Sequence, residues 1–334
     1  MIVQVVIDPE AFSSEEMVRP GCDREAFSLL TRILQNGVLI SDHKYGLLRQ
    51  LEGQISQLPI KSQQRLEALF TEILKQKKRY IFRHEQGIEG NIQTFTRTVC
   101  REIKPDALIS GGSCLGERRE CVGESTLCLD LAEYLDSSIE KKGLGYMNDV
   151  PPLDKLGESM LKEYLAPVLQ CAAWLRIYDP FIGKTGHNLA AFTRGIQWLI
   201  DLWNKEGYFK VFQPAFVEIY TNAFHVPSGQ REYEKQRREE RRTRIIKDVR
   251  REFLDKLNDA GMPIKIKMIF KDDPEFHMRV LETPSVCIQF DKGFDLFKSG
   301  KLRRNNLVMH HQNTRDQLND LRALSDVAVH FGRG

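Results

Sequence analysis

The sequence predicts an α/β protein. Short apolar runs at 4–7, 38–42 and 107–110 recur between longer segments with apolar residues at helical spacing. Several of these runs end in an acidic residue or in Asp-Pro, which stops a strand cleanly. Strands alternating with helices argue for a mainly parallel sheet. At 334 residues the chain is long for one core, so two domains are expected.

The elements follow in order. The run at 4–7 reads as a buried strand stopped by Asp8-Pro9. A helix is predicted over 24–35, with Phe27, Leu30 and Ile33 on one face. Asn36-Gly37 is a turn into a strand at 38–42, and helical patterns follow at 44–56 and 61–77. A strand at 79–82, a helix at 94–103, a strand at 107–110 and a helix at 127–141 complete a first domain over 1–145. Gly and Pro crowd 142–152, so 146–164 reads as a linker leading into a helix at about 153–170.

The second domain is placed at 165–312. It opens with a strand at 172–178 ending at Asp179-Pro180, then an amphipathic helix at 188–203 and a strand at 216–220. A long helix is predicted at 231–258. The run 264–270 alternates apolar residues with lysines and reads as a half-exposed strand. Strands at 276–282 and 285–290 are expected to form a hairpin around Thr283-Pro284. Residues 313–334 read as a tail with a helix near 318–324, followed by a strand or a loose end.

Composition narrows the function classes. The chain is 41% hydrophobic and 28% charged, the balance of an ordinary globular protein. A net charge of +3 is too small to imply nucleic-acid binding by itself, so any basic surface must be local. Seven cysteines without a dense framework fit a reducing, cytoplasmic setting. The first eight residues read as a strand and not as a signal peptide. No apolar run approaches the roughly 20 residues of a membrane span.

The most suggestive motif is His277-Met278-Arg279. On a strand, residues two apart share a face, which would put an imidazole beside a guanidinium. Arg supplies a fixed fork of donors and His carries a titratable proton, a pairing suited to a phosphate group. Lys184 and His187, after the Asp179-Pro180 turn, and Lys292, after the hairpin, are further candidates for that pocket. In the first domain Asp8, Asp42, Asp106 and Asp130 stand next to predicted elements. Carboxylates gathered at the carboxyl edge of a parallel sheet would hold Mg²⁺ or Mn²⁺ and activate water. Single Asp residues at such places also serve as turn formers and helix caps.

Other patterns carry less. The basic run from Arg231 to Arg251 is interleaved with Glu232, Glu234, Glu239, Glu240 and Asp248. Mixed signs at helical spacing describe a solvated face, with contact to a phosphate backbone as the alternative. Cys114, Cys121 and Cys128 recur every seven residues and lack the close pairs of a zinc site.

The second half resembles the phospholipase-D-like fold, in the version found as the C-terminal domain of MIT-domain proteins and related bacterial domains. The residues that carry the resemblance are Asp179-Pro180-Phe181-Ile182, His277-x-Arg279 and Gly293-Phe294-Asp295-x-Phe297, in the family's order over about 165–310. It implies His277 as nucleophile and Arg279 as the group neutralising phosphate oxygens. The chain departs from the active pattern: Arg279 replaces Lys, Thr283 stands where Asp belongs, and there is one such motif where the reaction uses two His. A homodimer would supply the second.

The first half is similar to PIN-like nuclease domains over about 1–145, with Asp8, Asp42, Asp106 and Asp130 as the implied metal ligands. Gly111-Gly112 falls where that family usually carries a further acid. The expected architecture is therefore a PIN-like parallel-sheet domain followed by a phospholipase-D-like α/β domain. Two functions follow as expectations. One is a nuclease or nucleic-acid effector of bacterial defence type, with a protein partner in a defence complex. The other is a non-catalytic module that binds a phosphorylated lipid or a protein.

Overall fold

The computed structural model describes residues 3–42, 44–76, 80–82, 92–102, 104–145, 151–182, 189–207, 215–222, 240, 243–244, 246–249, 251, 254–255, 264–273, 275–298, 300–310 and 313–331. The chain divides into two compact units, Met1–Asn148 and Asp149–Gly334. Both are mixed α and β, and each has its own sheet. Among the described residues no helix is long and apolar enough to cross a membrane.

The first unit is built on strands β1 (Val3–Ile7), β2 (Gly37–Ser41), β3 (Tyr80–Phe82), β4 (Ala107–Ser110) and β5 (Leu127–Asp130). They lie in the order β3-β2-β1-β4-β5, and every neighbouring pair is parallel. Such a sheet needs helical crossovers. These are supplied by α1 (Ser14–Met17), α2 (Cys22–Asn36), α3 (Gly46–Ser56), α4 (Ile60–Lys75), α5 (Ile92–Glu102) and α6 (Leu115–Arg119), and α7 (Ser138–Gly145) follows the last strand. Helix α2 buries Cys22, Ala26, Leu29, Leu30 and Ile33, one stripe at helical spacing. Strands β1, β2 and β4 are buried along their whole length, as expected of a parallel sheet covered on both faces.

One prediction is overturned here. Residues 127–141 do not form one helix. Leu127–Asp130 pairs in parallel with Ala107–Ser110, and a 3-10 turn (Leu131–Glu133) and α7 follow. A four-residue apolar run does not distinguish strand from helix by period, and the free edge of β4 decided it.

The second unit begins with α8 (Leu153–Gln170), followed by β6 (Trp174–Tyr178), α9 (Leu189–Glu206), β7 (Phe216–Asn222) and β8 (Lys265–Lys271). Then come β9 (Val280–Glu282), β10 (Cys287–Phe290), the small pair β11 (Phe297–Lys298) and β12 (Lys301–Leu302), β13 (Leu307–His310), α10 (Asn313–Ala323) and β14 (Ala328–Phe331). The large sheet runs β13-β10-β9-β6-β7-β8-β14. Strands β6, β7 and β8 are parallel, and the remaining pairings are antiparallel. The residues read as a tail supply an edge strand through β14 and cover a sheet face through Leu318 and Leu321 of α10. Most of the long basic helix lies outside the described residues.

The hairpin forms around Thr283-Pro284 as expected, with β9 and β10 antiparallel, but its first strand is shorter than predicted. The strand begins at Val280, so His277 and Arg279 precede it. Strand β6 stops at Tyr178 because Asp179-Pro180 follows, which leaves 276–279 without a partner strand there. One bond of the ladder persists, from Phe290 N–H to the Arg279 carbonyl at 2.8 Å. Alternation survives as well: Phe276, Met278 and Val280 pack into the core cluster with Tyr178, Tyr220 and Leu318.

Candidate functional site

In the second unit the site is organised by Asp179, the residue just past β6. It is fully buried. Its Oδ1 accepts from Phe181 N–H at 3.0 Å and its Oδ2 from Phe294 N–H at 3.1 Å, tying two separate turns together. Gly293 makes that approach feasible. Its φ is +75°, and a Cβ there would stand 2.2 Å from Asp179 Oδ2 and 2.8 Å from Arg279 Cδ. Gly195 on α9 has the matching task, because a Cβ there would lie 1.9 Å from the Phe294 carbonyl oxygen.

Arg279 is held on this frame. Its guanidinium lies 4.5 Å over the Phe181 ring and donates to the Asp291 carbonyl. Lys292 N–H donates to Asn305 Oδ1 at 2.8 Å, and Asn305 Nδ2 donates to the Gly293 carbonyl at 2.9 Å, so the turn carrying Lys292 is fixed as well. The Lys292 side chain itself is 62% exposed, and His277 is exposed. Lys184 and His187 lie outside the described residues. Thr283, standing where the resemblance calls for Asp, is buried: its hydroxyl donates to the Val286 carbonyl and accepts from the N–H groups of Ser285 and Val286. It closes the turn between β9 and β10.

In the first unit the four aspartates do not converge. Asp8, Asp42 and Asp130 follow the carboxyl ends of β1, β2 and β5, whereas Asp106 precedes β4 and accepts Gln4 N–H at 2.8 Å at the opposite end of the sheet. The other three have structural partners. Asp8 is fully buried, paired with Arg118 Nε at 2.5 Å and accepting Glu10 N–H at 3.2 Å. Asp42 accepts Gly46 N–H at 3.1 Å and Leu47 N–H at 2.8 Å, capping α3. Asp130 takes both terminal nitrogens of Arg19, at 3.0 and 2.5 Å, and accepts Ala132 N–H at 3.0 Å. Among the described residues no three His, Cys, Asp or Glu side chains group closely enough to hold a metal ion.

Comparison with known proteins finds no matching family model, no matching curated protein and no matching solved structure.

The carboxylates differ in electrostatics. Burial pushes Asp179 up to about 6, against the two backbone N–H groups and nearby Arg279 that favour its charge. Glu16 shows the opposite balance. Burial raises it, but hydrogen bonds from Ser113, Arg19 and Gly112 outweigh burial and bring it down to about 2. In the second unit the chemistry on offer is a fixed guanidinium with an exposed imidazole two residues away and, on the neighbouring turn, an exposed ammonium 3.6 Å from Asp291 Oδ2.

Sequence reasoning missed Glu16, Arg19 and Arg118. Ser13-x-x-Glu16 has the form of a capping box, in which Glu16 would turn back to its own helix. Ser13 does cap, accepting Glu16 N–H at 3.3 Å, but the Glu16 carboxylate reaches Gly112 and Ser113. No local signal announces that. Asp179 was visible as a strand stop and as part of a motif but not as the acceptor that ties two turns together, and the bracketing of Lys292-Gly293-Phe294 by hydrogen bonds had no sequence signature.

Proposed function

We propose that the protein is a phosphodiester-directed nucleic-acid effector whose second unit binds the phosphate backbone and does not cleave it by a covalent His route. The observation that carries this reading is Arg279, clamped over Phe181 and on the Asp291 carbonyl, with His277 and Lys292 exposed nearby. A guanidinium fixed in advance loses little entropy on meeting a phosphate, and two further cationic or protonatable groups suit a repeating anion. The burial of Thr283 in its turn supports binding over catalysis, because the position offers no carboxylate.

Metal-assisted cleavage in the first unit fits the residues less well. Asp8 and Asp130 are engaged by arginines and Asp42 by backbone amides, so no step is derived through Mg²⁺ or Mn²⁺.

The test is binding and cleavage of labelled single- and double-stranded DNA and RNA, in Mg²⁺, Mn²⁺ and EDTA, with wild type, His277→Ala, Arg279→Ala and Asp8→Ala. We expect salt-dependent binding without cleavage, weakened by about tenfold in Arg279→Ala. Absence of binding to every substrate would refute the reading and favour a lipid or protein ligand. Metal-independent cleavage lost in His277→Ala would restore the covalent route, and metal-dependent cleavage lost in Asp8→Ala would move the chemistry to the first unit.

A further inference from the structure

We propose that the loop after β4 is a binding site for a singly charged phosphate group, and that Glu16 occupies it as a built-in stand-in for the ligand. The site belongs to the first unit and is independent of the reading given for the second. Strand β4 lies on one side of β1 and β2 on the other, so the loop at 110–113 opens at the point where the strand order reverses. Parallel sheets place ligands in that crevice.

The donor set is that of an anion site. Gly112 N–H and Ser113 N–H each reach a Glu16 carboxylate oxygen at 2.9 Å, and Arg19 Nη1 reaches it at 2.5 Å. Successive backbone N–H groups and a guanidinium also receive phosphate oxygens. The glycines allow close approach. A Cβ on Gly111 would stand 2.7 Å from Glu16 Cγ, and one on Gly112 would stand 2.4 Å from Arg19 Nη1.

A second observation points to a missing acceptor. Arg118, on the short helix into which the loop leads, is 5% exposed and spends its Nε on Asp8. Its Nη1 is buried without a hydrogen-bond partner, and a Glu117 carboxylate oxygen stands 4.0 Å away, beyond hydrogen-bond reach. A buried donor without an acceptor is costly, and an anion in the crevice would supply one. The depressed titration of Glu16 agrees with a place made for negative charge.

Charge selects the ligand. Asp130 flanks the site, its Oδ2 lying 2.8 Å from where a Gly112 Cβ would be. A phosphodiester carries one negative charge, as Glu16 does, and its exchange for Glu16 leaves the balance with Arg19, Arg118, Asp8 and Asp130 unchanged. A dianion would add charge beside Asp130. Access is open: Ser113 is exposed, Gly112 is half-buried, and the Arg19 side chain is 36% exposed.

The test is calorimetric titration of wild type, Glu16→Ala and Glu16→Ala/Arg19→Met. The probes are inorganic phosphate at about pH 5, where its second proton is still bound, and a dinucleotide with one phosphodiester. Glu16→Ala is expected to bind both about tenfold or more tighter than wild type, and the double variant to lose that gain. Binding of inorganic phosphate without the dinucleotide would support the site and assign it to free phosphate. A folded Glu16→Ala that binds neither probe better than wild type overturns the proposal. If Glu16→Ala does not fold, Glu16→Gln is titrated with phosphate while the Gly112 and Ser113 amides are followed by NMR. Shifts in both are expected, and their absence overturns the proposal equally.

Discussion

Each unit buries a carboxylate at the carboxyl edge of its sheet, Glu16 in the first and Asp179 in the second, and the two titrate in opposite directions. Both accept two backbone N–H groups. The difference lies in side-chain donors: Glu16 also takes hydrogen bonds from the Ser113 side chain and from Arg19 Nη1, the latter at 2.5 Å, whereas the bonds to Asp179 are from backbone alone. Backbone donors did not outweigh full burial at Asp179, whereas at Glu16 the Ser113 hydrogen bonds, joined by those from Arg19 and Gly112, did outweigh burial. Burial sets the penalty, and the number and charge of donors decide whether a carboxylate escapes it. The first unit therefore holds Glu16 as a charge and pairs Asp8 and Asp130 with arginines, and the second holds its central acid poised near neutrality as a staple.

The largest test of this contrast is Arg118→Ala. It leaves Asp8 fully buried without its cation, which is expected to cost about 3–5 kcal/mol in the first unit. All three tryptophans, Trp174, Trp198 and Trp203, lie in the second unit, so their fluorescence reports that unit alone. Urea unfolding followed by far-UV circular dichroism should show an early transition that tryptophan fluorescence does not. A loss below 1 kcal/mol would mean that the Asp8–Arg118 pair is not the lock described.

Next in size is the opposed response to pH. Glu16 is lowered from 4.5 to about 2, so its contribution is present above 4.5 and is lost as pH falls toward 2, up to about 3 kcal/mol. Asp179 is raised from 3.8 to about 6, so the native state holds the proton more tightly. Its contribution is full below 3.8 and is lost as pH rises through about 6, again up to about 3 kcal/mol. Glu16→Gln should flatten the acid limb of the first unit, and Asp179→Asn should flatten the slope of the second between pH 4 and 6. Parallel slopes in the two units would contradict the contrast.

Gly293→Ala sharpens the comparison at smaller scale. The residue sits at φ +75°, and its Cβ would meet Asp179 Oδ2. We expect a loss of about 1–3 kcal/mol, visible in tryptophan fluorescence, together with weaker nucleic-acid binding as Arg279 loses its frame. Unchanged stability would show that the Asp179 staple yields easily.

The same contrast explains what the sequence made legible. Apolar runs stopped by Asp or Asp-Pro located β1, β2 and β6, and one entered through Pro105-Asp106 located β4, because a buried parallel strand is a local statement of composition. Helix α9 announced itself through Leu189, Phe192, Ile196 and Leu199. Strand β5 was misread as helix because its run Leu127-Cys128-Leu129 is too short to show a period, and β14 was left between a strand and a loose end because its pairing with β8 is a long-range event. His277 and Arg279 were found by type, but their backbone was misassigned, since Pro180 on another strand decides where the ladder ends. The partners of Asp8 and Asp130 lie 110 and 111 residues away along the chain, so their neutralisation by Arg118 and Arg19 has no local signature.

The smallest expected effect concerns divalent cations. If Arg118 and Arg19 already balance Asp8 and Asp130, Mg²⁺ or Mn²⁺ at about 1 mM must displace a guanidinium to bind, at a cost that offsets most of what the ion gains. The far-UV melting temperature should then move by less than about 1 °C on adding either ion or EDTA, since a ligand at a concentration near or below its Kd stabilises by well under 1 kcal/mol. A rise of several degrees with Mg²⁺ or Mn²⁺, absent in Asp8→Asn, would mean that the arginines are placeholders for a cation. It would turn the first unit from a locked scaffold into a metal site, and the contrast with the second unit would be one of occupancy and not of design.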